Sequence, residues 1–258
     1  MLPIQWGLPY ERVEVATPYG DPSSPVAKTR VSESTTIYSI LRHGDKHALG
    51  HAINYRANVA ALKELGCDLV ISISLAGSLV ERFDVGDTVI YDDVLDFRKS
   101  STSFFSDHEA KHVAMAPLVC PALEARLRKI ARERDLAFGG TMVVMEGPRY
   151  STRAESKMYA TLGGELICQT VAPECFLIRE MKMRWCGVCL VTDRDTRDSR
   201  QMVSTGRIFE NMKQYEQDFA SHLLEIVCLL KPFDRTTAED RDAVPSEMVA
   251  SFPPTTES

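Results

Sequence analysis

The sequence has no apolar run near the ~20 residues needed to cross a bilayer. Its opening, Met1-Leu2-Pro3-Ile4-Gln5-Trp6, lacks the basic-then-apolar order of a secretory leader. A cytoplasmic protein with no membrane partner is therefore expected. Positive charge is also short: 30 Lys and Arg against 36 Asp and Glu give a formal net charge of −6. Nucleic-acid binders carry a basic footprint, so no nucleic-acid partner is expected either. With 14 Gly and 13 Pro in 258 residues, the chain is neither collagen-like nor low-complexity. No internal repeat and no long linker divides it, and its length suffices for one sizeable core.

Cysteine is present but badly placed for disulfides or metal. The seven residues at 67, 120, 168, 175, 186, 189 and 228 are an odd count without a secretory leader. Cys186-Gly-Val-Cys189 lies inside an apolar run, Arg184–Thr192, that reads as a buried strand. Residues three apart on a strand point to opposite faces, and no second CxxC completes a four-ligand set. His43, His47 and His51 recur at helical ligand spacing, but Gly44 and Gly50 oppose a helix there, and Asp45 is the one nearby carboxylate. No metal and no cofactor are expected.

What remains is alternation between periods of two and 3.6, the pattern of an α/β sheet with crossover helices. Strands are expected at Arg12–Ala16, Pro25–Val31, Thr35–Leu41, Cys67–Leu75, Thr88–Val94, Thr141–Met145, Glu165–Cys168 and Trp185–Val191. Helices are expected over Asn54–Leu65, from Pro121 past Ile130, over Thr152–Leu162 and Pro173–Met181, and over Thr205–Leu230. Residues 1–233 form the domain. Residues 234–258, polar and carrying prolines 245, 253 and 254, read as a loosely held tail.

Several strand ends carry chemistry-bearing residues, and strand ends are where open α/β sheets bind ligands. Arg42-His43-Gly44-Asp45-Lys46-His47 suits a small anion, although it also reads as a solvated charged turn. Ser72-Ile-Ser74-Leu-Ala76-Gly77-Ser78 offers hydroxyls and backbone N–H groups for an anion cradle, or is an ordinary strand exit. In Glu146-Gly-Pro-Arg-Tyr150-Ser-Thr-Arg-Ala-Glu155, Ser151 or Thr152 can cap a helix with Glu155 closing a capping box, and Tyr150 can stack on a base or sugar. Glu174, after Gln169-Thr170, can accept from a sugar hydroxyl, or simply suits the helix dipole. Asp193 and Asp195 end an apolar run, as proton-transfer carboxylates would, or pair with Arg194 and Arg197.

In this order, from about Tyr10 to Leu230, these motifs resemble the trimeric purine nucleoside phosphorylase family, in its 5′-methylthioadenosine phosphorylase branch. Arg42-His43-Gly44, Asn54-Tyr-Arg-Ala-Asn58, Ala76-Gly77-Ser78-Leu79, Phe104-Phe105, the run from Glu146 to Ser156, Pro173-Glu174 and Thr192-Asp193-Arg194-Asp195 carry the resemblance. It implies a single-domain α/β fold with a mixed central sheet, a homotrimer, and phosphate attack on the anomeric carbon of a purine nucleoside. Arg42, His43, Ser74 and Thr170 resemble phosphate ligands. Ala76, Gly77, Tyr150 and Gln169 resemble the lining of the base and sugar pocket, with Gln169 in place of the usual methionine. Asp193 resembles the residue that protonates or shares a proton at purine N7, and Asp195 the acceptor from a 6-amino group. His112 resembles the residue lent across the trimer to the sugar 5′ side.

The sequence departs from the family on the phosphate side. No Gly-Gly-Thr/Ser-Gly run occurs, so the opening strand, its glycine-rich phosphate loop and one wall of the anion site have no counterpart. Three readings follow. The first is a phosphorylase of 6-aminopurine nucleosides with a weakened phosphate site. The second is a relative that uses water or acts on another small molecule. The third is a non-catalytic ligand-binding homologue. The retained Arg42, His43, Ser74, Asp193 and Asp195 favour the first, the absent loop and Gln169 favour the second, and the two aspartates weigh against the third.

Overall fold

The computed structural model describes residues 6–33, 35–105, 111–195, 203–230 and 249–251. The core is a seven-stranded mixed sheet ordered β6-β9-β10-β4-β11-β5-β8. Its strands are β4 (Leu69–Ser78), β5 (Thr88–Tyr91), β6 (Asp93–Asp96), β8 (Ala137–Phe138), β9 (Thr141–Val144), β10 (Leu166–Cys168) and β11 (Arg184–Arg194). A separate antiparallel sheet holds β1 (Tyr10–Val13), β2 (Val26–Arg30) and β3 (Thr36–Ser39). A third, two-stranded piece pairs β7 (Lys111–Val113) with β12 (Val249–Ser251), so three residues of the C-terminal segment lie beside a strand; the rest of residues 231–258 falls outside the described chain.

The segment expected as one strand, Thr88–Val94, is two. It breaks at Asp92, whose carboxylate accepts from Gly140 N at 3.1 Å. Beside it, β8 and β9 break at Gly139-Gly140. β5 runs parallel to β8 and β6 parallel to β9, yet β8 and β6 are opposite edges of the sheet order. Two bent strands thus join both edges and curl the sheet on itself, leaving few open ladder groups.

Among the described residues five α-helices flank it. α1 (Tyr55–Glu64) is capped by Asn54, whose side chain accepts from Ala57 N. α2 (Pro121–Glu133) has Pro at its first turn and buries Leu123, Leu127 and Ile130. α3 (Arg153–Thr161) carries the full capping box between Thr152 and Glu155. Within α4 (Val171–Glu180) the backbone at Ala172 is extended, so helical geometry starts at Pro173. α5 (Thr205–Leu229) buries Phe219, Leu223 and Ile226. The cysteines are free thiols, with Cys186 and Cys189 wholly buried in β11. No helix among the described residues is long and apolar enough to cross a membrane.

Two long parallel neighbours, β4 and β11, position everything that follows. Gly187 of β11 leaves room for the Tyr91 ring, whose atoms lie 2.0 Å from where a Cβ would stand. Tyr91 thereby crosses to β4, bringing its hydroxyl to 3.5 Å from Ser74 Oγ, and packs edge-on to Trp185 with ring centroids 5.8 Å apart.

Candidate active site

The pairing of β11 with β4 slips at Thr192: Val191 faces Ala76, while Asp193 faces Gly77. The extra residue is a β-bulge, a device that re-aims side chains beside a site. Its freed carbonyl is caught by Asn211 Nδ2 of α5 at 2.7 Å. The bulge turns the Asp193 carboxylate onto Gly77, where a Cβ would stand 2.9 Å from Oδ2. Burial raises the Asp193 pKa to about 6; Asp195 adds to the rise and the Thr192 hydroxyl, donating at 2.9 Å, opposes it. A carboxyl near 6 can hold a proton and give it up near neutrality, which a general acid requires.

Asp195 is held differently. Its Oδ2 accepts from Ser151 Oγ at 2.7 Å and Ser156 Oγ at 2.8 Å, and its backbone N–H donates to Ser78 O at 3.0 Å. These hydroxyl donors fix the orientation of Oδ2. Two carboxylates one residue apart thus have opposite environments, one buried beside glycine and one solvated by serines. Arg194 between them turns outward to Asp84. Arg197, the other expected partner, lies outside the described residues.

The second cluster sits against the middle of β4. Arg42, just past β3, donates through Nε and Nη2 to Glu174 at 2.7 and 2.6 Å, and through Nη1 to Ile73 O at 3.0 Å. Burial would weaken its charge, but the charge and hydrogen bonds of Glu174 outweigh that and keep the guanidinium protonated. His43 Nδ1 lies 2.7 Å from Ala48 O. A carbonyl only accepts, so Nδ1 carries the proton there. Burial lowers the His43 pKa, against the pull of the Ala48 bond. The neutral ring then presents Nε2 as an acceptor, fit for a P–OH group. Along β4, Ser74 to Gly77 spans about 10 Å at ~3.3 Å per residue. That gap is long enough for one sugar ring.

The remaining candidates are more scattered. Ala76 lies beside Gly77 and accepts weakly from Thr192 Oγ1 at 3.4 Å. Thr170 is buried at the start of α4 and makes no capping bond. Gln169 folds onto the 146–150 loop: its Nε2 donates to Arg149 O at 3.1 Å, and its amide fills the space a side chain at Gly147 would take. Tyr150, partly exposed, bonds Thr205 Oγ1 at 3.0 Å. His112 is exposed on β7, with its backbone opposite Ala250. Two depressions, of about 190 and 630 Å³, flank the 146–150 loop and share His51, Glu146 and Gly147. Gln169 is the one candidate lining either; Arg42, His43, Ser74, Asp193 and Asp195 line neither.

Glu174 belongs to the arginine cluster. Both its oxygens are engaged by Arg42, and Oε1 also accepts from Ser72 Oγ at 2.6 Å, which leaves little for a sugar hydroxyl. Asn211 carried no sequence signal, and the partners of Ser72, Ser156 and Thr192, though these residues lie in the motifs, were not legible because they depend on neighbours far along the chain. Among the described residues no group of His, Cys, Asp and Glu is arranged to hold a metal ion.

A curled mixed sheet flanked by helices, with a carboxylate pair ending β11 and an arginine–histidine cluster packed against β4, is an α/β fold of the nucleoside phosphorylase kind. The phosphorylase superfamily model matches residues 9–228, and the chain belongs to that superfamily. It is similar to the S-methyl-5′-thioadenosine phosphorylase of Pyrococcus horikoshii, 39% identical over 213 residues that cover 81% of this chain and 82% of the relative. It is also similar to the 6-oxopurine nucleoside phosphorylase of Pyrococcus furiosus, 34% identical over 237 residues and 88% of each chain. Among solved structures, methylthioadenosine phosphorylase from Schistosoma mansoni in complex with adenine superposes with a TM-score of 0.82, at 27% identity over 91% of this chain and 90% of that one.

Proposed function

We propose that this protein is a pentosyltransferase that cleaves the N-glycosidic bond of a 6-aminopurine nucleoside, such as 5′-methylthioadenosine, with inorganic phosphate. The observation that carries the reading is the opposed pair on β11: Asp193, near pKa 6, and Asp195, an acceptor held by Ser151 and Ser156. A phosphate oxygen attacks the anomeric carbon as the C1′–N9 bond breaks, and the electron pair leaves with the purine. Asp193 delivers or shares a proton at N7, while Asp195 accepts from the 6-amino group. A 6-oxo purine offers no such donor, so Asp195 biases the site toward adenine. Arg42, His43, Ser74 and Thr170 hold the phosphate, and its negative charge, fixed by their N–H and O–H groups, stabilises the sugar as it becomes cationic. Proton delivery supplies about 10²–10⁴-fold, roughly 3–5 kcal/mol, and the anion site must supply the rest.

The same reading places the protein in the cytoplasm as a homotrimer, with His112 lent to a neighbour's sugar 5′ side and with no metal or cofactor. Gln169, bonded to the 146–150 loop, shapes the pocket wall through that loop, and Tyr150 covers the base or sugar. Phosphate use is tested by Arg42→Ala. Its rate should require far more phosphate than the wild type; a rate indifferent both to phosphate and to this substitution would overturn phosphorolysis in favour of hydrolysis.

A further inference from the structure

Arg42 is the last member of a buried hydrogen-bond relay. Trp185 Nε1 of β11 lies 2.8 Å from Ser72 Oγ of β4, Ser72 Oγ lies 2.6 Å from Glu174 Oε1 of α4, and Glu174 meets Arg42 at 2.6 and 2.7 Å. Donor chemistry fixes the direction of every bond. An indole N–H can only donate, so Ser72 Oγ accepts it. The serine hydroxyl must then send its one proton to Glu174, and a guanidinium can only donate to that carboxylate. Trp185 is wholly buried, Ser72 is 1% exposed and Glu174 8% exposed. The relay is therefore assembled by the core, at the junction of β4, β11 and α4, and it ends on the side chain that meets phosphate in the function proposed above.

We infer that Glu174 is a positioning residue for phosphate, and that Ser72 and Trp185 hold Glu174 in turn. Three of the five Arg42 N–H groups are committed, two to Glu174 and one to Ile73 O. Two remain, on Nη1 and Nη2, and a guanidinium is planar, so fixing three bonds fixes the direction of the other two. As a unit the Arg42–Glu174 pair is nearly neutral. What it offers an anion is aimed donors rather than net charge, and aim depends on Glu174 staying a carboxylate in one orientation. Glutamine at 174 keeps the volume but sets an N–H₂ group against one Arg42 donor, so the guanidinium must turn away. Alanine at 72 removes one bond to Glu174 without touching Arg42.

The inference rests on the proposed phosphorolysis, so the experiment separates the two. Steady-state kinetics on the full chain measures KM for inorganic phosphate and for 5′-methylthioadenosine in wild type, Glu174→Gln, Ser72→Ala and Trp185→Phe. Thermal shifts with inorganic phosphate alone report binding without turnover. Loss of a charge-assisted bond predicts a phosphate KM raised about 10-fold or more in Glu174→Gln and about 3-fold in Ser72→Ala and Trp185→Phe. The nucleoside KM should stay within about 2-fold, and the phosphate-induced thermal shift should shrink in the same order. A merely structural role gives a different pattern: lower melting temperature with both KM values unchanged, or both raised together. Either overturns the inference. If Glu174→Gln does not fold, Ser72→Ala and Trp185→Phe decide it, because neither alters a group placed against substrate. A wild type that neither needs phosphate nor is stabilised by it defeats the function proposed above. A phosphate-dependent wild type whose variants keep their phosphate KM defeats this inference alone.

Discussion

Replacing Asp193 by asparagine should lower activity and raise stability. In the folded protein the carboxyl titrates near 6 instead of its ordinary 3.8, chiefly because it is buried. That rise means that the ionised form is disfavoured by about 3 kcal/mol. Between pH 3.8 and about 6 the folded state binds more protons than the unfolded state, so stability falls as pH rises through that window. Below it both states are protonated and nothing is lost; above it the full cost is present. Asparagine keeps an oxygen for the Thr192 hydroxyl but cannot ionise. At pH 8 the variant should melt several degrees higher, at about 2–4 °C per kcal/mol for a domain of this size, and the difference should vanish near pH 4. Activity moves the other way. Asparagine can still donate a hydrogen bond to N7 but cannot hand over a proton, so turnover of 5′-methylthioadenosine should drop about 100-fold or more. In the wild type, kcat/KM should fall about tenfold per pH unit above 6, and the variant should lack that limb. Calorimetry at the two pH values and a rate profile from pH 5 to 8 check both halves. A variant that turns over normally, or that is less stable than wild type at pH 8, would refute the assignment.

Three further outcomes follow from the same geometry. Gly77→Ala puts a Cβ 2.9 Å from Asp193 Oδ2 and 3.1 Å from Ile167 Cγ2, so kcat should fall about 10-fold from a misplaced acid, with circular dichroism unchanged. Ser151→Ala removes one of the two hydroxyls on Asp195; the ratio of kcat/KM for adenosine over inosine should narrow several-fold, and an unchanged ratio would remove Asp195 from base selection. Gly187→Ala drives a methyl into the Tyr91 ring, whose atoms lie 2.0 to 2.6 Å from the new carbon, and should cost more than about 3 kcal/mol in denaturant unfolding.

The helices were legible because their signals are local. Asn54 caps α1 through a side chain three residues from its partner, and Thr152 and Glu155 close their box within one turn. The long strands β4 and β11 announced themselves as β-branched, apolar runs, and the two aspartates ending β11 stood out against that run. The sheet closure did not announce itself. Thr88–Val94 alternates like one strand, and only the pairing of β5 with β8 and of β6 with β9 shows that Asp92 divides two strands near opposite edges of the sheet. The short strands at Lys111 and Ala137 escaped for a related reason: three and two residues carry no period. At the site, residue identities were readable but partnerships were not. Glu174 reads equally as a dipole-favoured helix start or a sugar acceptor. Its real partners are Arg42, 132 positions away, and Ser72, 102 positions away. The bulge at Thr192 is likewise a property of two strands, not of one.

What this protein makes from 5′-methylthioadenosine decides between phosphate and water as the nucleophile. Mass spectrometry of the products, with and without inorganic phosphate, should find adenine together with the methylthio-sugar 1-phosphate, formed only when phosphate is present. Adenine with free methylthio-sugar, formed equally in its absence, would show that water is the nucleophile and would contradict the account.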